Sequence, residues 1–267
     1  MWGEPTTLVA EYAYGRVCLV TWVDTHCHLQ LDERAPGELL ARADDVDWVV
    51  VPGVDAVSSA DSVRLAGEFP ERVVATAGLH PHDASSWPEQ SPAIEEMAGR
   101  VAAIGETGLD FYRNLSPRED QIESFRAQLE LASARDLPII VHCRDAFADV
   151  HQLLDATGEG ERAVLHCWTG GRKWTKRFLE LGVTFSFAGP VAFETGETIR
   201  LGAELVPPER ALVETDTPYL APPPHRGKPN EPAWVSLVGE ALAAVWGLPP
   251  ADVAAITTVN ARRIFRK

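Results

Sequence analysis

Eight short runs rich in valine, isoleucine and leucine recur along the chain, each followed by a stretch with helical spacing. This alternation restricts the fold more than any other feature. The runs are Leu19–Asp24, Trp48–Pro52, Val73–Ala77, Val101–Gly105, Ile139–His142, Ala163–His166, Val183–Phe187 and Ala211–Glu214. Helical spacing is seen over Pro36–Ala43, Val57–Phe69, Pro117–Arg135, Phe147–Ala156 and Trp174–Leu181, and again near Pro232–Trp246 and Pro250–Phe265. Strands that alternate with helices run parallel and are joined by crossovers. Eight such units predict an α/β chain closed into a (β/α)8 TIM barrel rather than an open doubly wound sheet. The 267 residues are ordinary for one such barrel, which takes about 250 residues. One barrel is therefore expected over residues 19–267. Residues 1–18 carry neither period and are expected to be a disordered extension, or to precede a true start near Val20.

The polar residues fall where strands end. The first strand runs into Asp24-Thr25-His26-Cys27-His28, and the third into Gly78-Leu79-His80-Pro81-His82. The fourth is expected to end at Glu106, the fifth at His142, the sixth at His166 and the eighth in Glu214-Thr215-Asp216. Active sites of this barrel lie at the C-terminal ends of its strands. Side chains at i and i+2 share a face of a strand, so His26 and His28 face the mouth together and Cys27 points into the helix layer. The same alternation makes Cys143 and Cys167 packing residues behind His142 and His166.

Composition excludes several classes. A net charge of −15 rules out holding nucleic acid by a basic stripe, so any attraction to a phosphodiester must be local, from metal ions and a few Arg and Lys. Four cysteines without CxxC spacing make neither a disulfide framework nor a structural zinc cage, and fit a reducing cytoplasm. No apolar run reaches the length of a membrane span, and the N-terminus lacks the regions of a signal peptide. No membrane and no obligate protein partner is expected.

Imidazoles mixed with carboxylates suit Mg, Mn or Zn held with open positions for water. His26, His28, Glu106, His142, His166 and Asp216 are the candidate ligands. Glu106, on a middle strand, is the candidate bridge between two divalent ions. Asp216 is placed to bind one ion and to take the proton of a water; the rival role for it is a turn start before Thr217-Pro218. Arg226 and Lys228, in the long Pro-rich loop, are expected to contact phosphate, and Arg113 and Arg144 add positive charge at the rim. Arg144 could instead pair with Asp145 or another rim carboxylate. His82, and with less weight His80, is expected either to bond a phosphate or base or to order its loop. Asp110 is expected to orient a neighbour. Trp168 and Trp87 are candidates for stacking on a base, with burial the favoured role. Ile122, Phe125, Leu129 and Ala132 form a core-facing helical stripe.

The strings VDTHCHL, GLHPHD, GETGLDFYR, IIVHCRDA, LHCWTG and ETDTPYLAPPPHRGKPNEP closely resemble the TatD family of metal-dependent deoxyribonucleases, within the amidohydrolase superfamily. The resemblance runs from about Val23 to the C-terminus. It implies that His26, His28 and Asp216 bind one ion, that Glu106 bridges, and that His142 and His166 bind the second. It further implies hydrolysis of phosphodiester bonds of DNA from the 3′ end of single strands. Departures from the family pattern are Thr107 for an aliphatic residue, Trp168-Thr169 for Phe-Ser, and Pro229 for a basic or polar residue. The alternative chemistry on the same ligands is an ester or amide hydrolase, such as an aminoacyl-tRNA deacylase, because loops rather than fold decide the substrate.

Overall fold

A computed structural model describes residues 21–267. The expected extension over residues 1–18 lies outside the described residues. Strands β1 (Trp22–Asp24), β2 (Val46–Val51), β3 (Val73–Ala77), β4 (Ala103–Asp110), β5 (Ile139–Arg144), β6 (Ala163–Leu165), β7 (Thr184–Phe187) and β8 (Ala211–Val213) pair in parallel in sequence order. Between them lie α1 (Pro36–Arg42), α2 (Ala56–Glu68), α3 (Trp87–Met97), α4 (Arg118–Ala134), α5 (Phe147–Thr157), α6 (Arg172–Glu180) and α7 (Glu197–Ala203); α8 (Val235–Trp246) and α9 (Pro250–Phe265) follow β8. The (β/α)8 barrel is thus the fold. Among the described residues no single helix is long and apolar enough to cross a membrane.

Two apolar layers hold the barrel. Alternate strand residues point inward, where Val23, Trp48, Val50, Val74, Ala103, Ile140, Val164 and Leu212 meet. Their neighbours, such as Val49 and Val51 on β2, point outward against the helices. Burying each such side chain stabilises the fold by about 1.5–3 kcal/mol. Helix α9 closes the N-terminal end, with Phe265 edge-on to Trp48 at 6.2 Å between ring centroids. The opposite end stays polar and holds the site.

The seam between the first and last strands is made by loops rather than by a ladder. Thr25 N donates to Val213 O (3.0 Å), Asp216 N to His26 O (2.9 Å) and His28 N to Thr217 O (2.9 Å). Cys27 and Thr217 form a single parallel bridge there.

Several expected boundaries shift. The strand expected over Leu19–Asp24 is described only from Trp22, and His26 and His28 stand beyond it, in the bridged loop. The fourth strand does not end at Glu106 but runs to Asp110. Its register against β5 slips by one residue between Ile104 and Thr107, a bulge of the kind that re-aims a side chain. Helices α3 and α7 were not expected. Pro88 and Pro92 mask the period of the first, and the second is only seven residues long. The helical stripe of α4 holds, with Phe125, Leu129 and Ala132 buried, but Gln121, Ser124 and Gln128 are buried beside it.

Candidate metal centre

Glu106 occupies the middle of the mouth. Past the bulge, Glu106, Gly108 and Asp110 alternate onto one face of β4. Gly108 has φ +131°, a region that side chains rarely adopt, and a Cβ there would overlap the carbonyl oxygen of His142. Glycine at that position lets β4 lie against β5 and brings both carboxylates to His142.

The two oxygens of Glu106 face different partners. Oε2 lies 3.2 Å from His26 Nε2 and 3.6 Å from His28 Nε2. Oε1 lies 3.0 Å from His142 Nδ1, 3.0 Å from His166 Nε2 and 3.4 Å from His80 Nε2. Asp216 joins the first group, with Oδ1 3.5 Å from His28 Nε2 and 4.0 Å from His26 Nε2. Asp216 also makes the turn that was its rival role, since its carbonyl accepts from Tyr219 N at 2.8 Å. One backbone position serves both purposes.

The far sides of the second group are fixed by carboxylates. His166 Nδ1 lies 3.2 Å from Glu214 Oε1, which also accepts from Cys167 N at 2.7 Å. His142 Nε2 lies 3.2 Å from Asp110 Oδ2, and His82 Nε2 lies 3.0 Å from the same oxygen. Asp110 is held in turn by the N–H of Arg113 at 2.7 Å, and its own N–H donates to Gln121 Oε1 at 2.9 Å. Gln128 pins the β3 loop by accepting from Leu79 N and donating to Leu79 O. At the seam, buried Asp24 accepts from Thr215 N (2.9 Å) and Thr215 Oγ1 (2.6 Å), fixing the approach to Asp216. Burial pushes the Asp24 carboxyl up to about 8, against the pull of the Thr215 hydrogen bonds.

Electrostatics leave two of the donor rings neutral and set a third against them. Burial, helped by His166, lowers His26 to about 3, and burial lowers His80 to about 4, so both rings carry a free lone pair at neutral pH. Burial opposes ionising Glu106, yet His166, His80 and His26 around it hold its carboxyl well below the usual range. Burial likewise opposes a charged His166, but Glu106 and then Glu214 raise it well above an ordinary imidazole. Both shifts describe a site whose charges compensate each other. His26 Nε2 and His28 Nε2 stand 3.1 Å apart, a distance that needs a proton or a cation between them. Ligand bonds of about 2.1 Å set neighbouring donors roughly 3.0–3.5 Å apart, close to most of the separations in the cluster, with His28–Glu106 at 3.6 Å and His26–Asp216 at 4.0 Å wider. Three donor sets bring their ligand atoms within 4.8 Å of one another: His26-His28-Asp216, His26-Glu106-His166 and His80-Glu106-His142.

The remaining candidates divide. His80 turns inward to Glu106, whereas His82, given more weight in the sequence, is tied to Asp110. Arg144 does not pair with Asp145; its guanidinium lies 4.0 Å over the ring of Tyr112. Arg226 lies 3.8 Å over the ring of Phe193. Arg113, Arg144, Arg226 and Lys228 are all exposed at the mouth. Trp168 is buried among Phe147, Phe178 and Phe185, its Nε1 donating to Thr175 Oγ1 at 3.0 Å, so it borders the helix layer and not the mouth. Trp87 is half-buried against the apolar cluster under α3. Cys27 packs in the outer core, but Cys167 differs from expectation. Burial, then Asp216 and Glu214 nearby, push its thiol well above the usual value. Glu214 had no role in the sequence; a carboxylate two residues before a candidate ligand was the available signal.

Relatives share this arrangement of chain. The family model described as TatD related DNase matches residues 23–266. An uncharacterized metal-dependent hydrolase of Bacillus subtilis, YabD, is 37% identical over 251 residues, covering 91% of this chain and 98% of the relative. A protein of a Rahnella species named 3′-5′ ssDNA/RNA exonuclease TatD is 39% identical over 250 residues, covering 89% of this chain and 91% of its own. The crystal structure of YjjV, a TatD homologue from Escherichia coli, superposes with a TM-score of 0.87 at 26% identity, over 93% of this chain and 99% of that one. Whole-length similarity, the shared barrel and a mouth lined with metal-ligand side chains lead to one conclusion: the chain belongs to the TatD family of metal-dependent hydrolases.

Proposed function

We propose that the protein is a two-metal phosphodiesterase that trims DNA from the 3′ ends of single strands. The observation that carries this assignment is Glu106, whose two oxygens face two separate groups of imidazoles at a mouth open to solvent. His26, His28 and Asp216 would hold one divalent ion, His142 and His166 the other, with Glu106 shared. Ions so held supply acidity to a water, polarise the phosphoryl group and steady the leaving oxygen. The chain's own residues do the rest. Asp216, whose side chain keeps 13% of its surface exposed, accepts the proton of the attacking water. Asp110 and Glu214 fix which nitrogen of His142 and His166 carries the hydrogen, and so which one is offered to a metal. Arg226 and Lys228, with Arg113 and Arg144 behind them, hold phosphates locally on a protein of net charge −15, where bulk attraction is absent.

The test uses purified protein supplied with Mg, Mn or Zn and offered 5′-labelled single-stranded DNA, the matching duplex, RNA and acylated tRNA. The expected result is progressive shortening of the single strand from its 3′ end. Release of the acyl group from tRNA with every nucleic acid left intact would replace the phosphodiesterase by an ester hydrolase. The orienting carboxylates give a separate readout. Glu214→Ala is expected to weaken metal binding by about 10–100-fold, with Glu214→Gln keeping part of the affinity. Competition against a chromogenic chelator measures this without any substrate.

A further inference from the structure

Large apolar side chains left exposed in this protein are concentrated at the mouth. Leu31, Val57, Tyr112, Leu115 and Tyr219 stand on segments that follow β1, β2, β4 and β8, and Val259 on α9 is the exception among the described residues. A globular chain gains nothing by arranging them there unless the mouth receives something with apolar faces. Two of them are aromatic. Tyr219, 54% exposed, follows Asp216 in the β8 loop, and its ring lies 6.2 Å from that of His28. Tyr112, 62% exposed, follows Asp110 at the end of β4, with Arg144 covering one face of its ring. β4 and β8 are four strands apart in a ring of eight. The two tyrosines therefore stand on opposite sides of the centre, Tyr219 beside His28 and Tyr112 beyond the end of β4 under Arg144.

Cations accompany both rings. Arg144 stacks on Tyr112, and Tyr219 lines a groove of about 670 Å³ together with Leu31, Arg226 and Lys228, where Arg34 is already paired with Asp32 and Glu231. Aromatic faces alternating with cations are what a strand of unpaired bases needs, because every base has a π-face and every link a negative charge. A duplex offers stacked, inaccessible faces. The geometry points to Tyr219 and Tyr112 as base-stacking platforms on either side of the scissile phosphate, which select unpaired strands over duplex. It rests on the phosphodiesterase assignment above and supplies the role that buried Trp168 and half-buried Trp87 do not fill.

The test compares Tyr219→Ala, Tyr112→Ala and the corresponding Phe variants on 5′-fluorescein oligothymidylate and on the same strand with abasic residues at its 3′ end. Each alanine is expected to raise KM by about ten-fold with kcat little changed. Each phenylalanine is expected to behave as the parent. On the abasic strand the parent protein should already show a raised KM, to which the alanine nearest the missing base adds nothing. Unchanged KM for oligothymidylate in both alanine variants overturns the stacking role, as does an equal loss on base-bearing and abasic strands. Those outcomes leave the parent protein hydrolysing DNA, so they are distinct from failure of the phosphodiesterase assignment, in which the parent cuts no nucleic acid and both conclusions fall.

Discussion

Glu106→Ala is expected to lower hydrolysis by about a thousand-fold or more, with bound metal falling in parallel and the circular dichroism spectrum unchanged. The size follows from position. Glu106 is 3% exposed, and its two oxygens contact five imidazoles from four different strands or their loops. Removing it takes away the only carboxylate between the two groups among the described residues and leaves imidazoles facing one another. Asp216→Ala should cost a similar factor in rate but less metal, because one donor group loses a member while the shared carboxylate stays. Metal analysis on dialysed proteins separates the two variants. Full activity in both would end the two-metal assignment.

Gly108→Ala is the second large effect, and it is one of folding. The added methyl sits at φ +131° and against the carbonyl of His142, so backbone strain adds to overlap with a strand that can yield little. A loss of at least about 3 kcal/mol is expected. For a barrel of this length that is a fall of about 6–12 °C in Tm. Gly67→Ala in α2 is the matched control, because a Cβ there meets nothing within 4 Å. It should stabilise by about 0.5–1 kcal/mol, as expected for replacing a helical glycine. A Tm for Gly108→Ala within about 2 °C of the parent would mean that the β4–β5 contact relaxes freely and does not fix His142.

The barrel was legible because its cause is periodic. A strand of alternate buried faces and an amphipathic helix each leave a pattern, and β3 and α9 match their expected limits residue for residue. The strand ends were legible for a different reason: ligand-type residues repeated at one place in six of the eight units. What could not be read was anything that depends on a meeting between units. The bulge that turns Glu106 inward arises from register against β5, and a chain read alone has no register. The inward turn of His80, the grip of Glu214 on His166 and the stacking of Arg144 on Tyr112 are equally non-local. Trp168 illustrates the converse. It stands two residues after a candidate ligand, where strand alternation would give it the face of His166, but the positive φ of Cys167 breaks that alternation and a hydrogen bond to Thr175 holds the ring in the helix layer.

Because, among the described residues, the hydrogen bonds that join the first and last strands run through the segments that carry His26, His28 and Asp216, completing the circle and completing the candidate donor set are one event. A nascent chain still on the ribosome, with β8 not yet emerged, has neither Asp216 nor the seam. Such a chain lacks the residue proposed to take the proton. A hydrolase built this way becomes competent only when its last strand closes on its first.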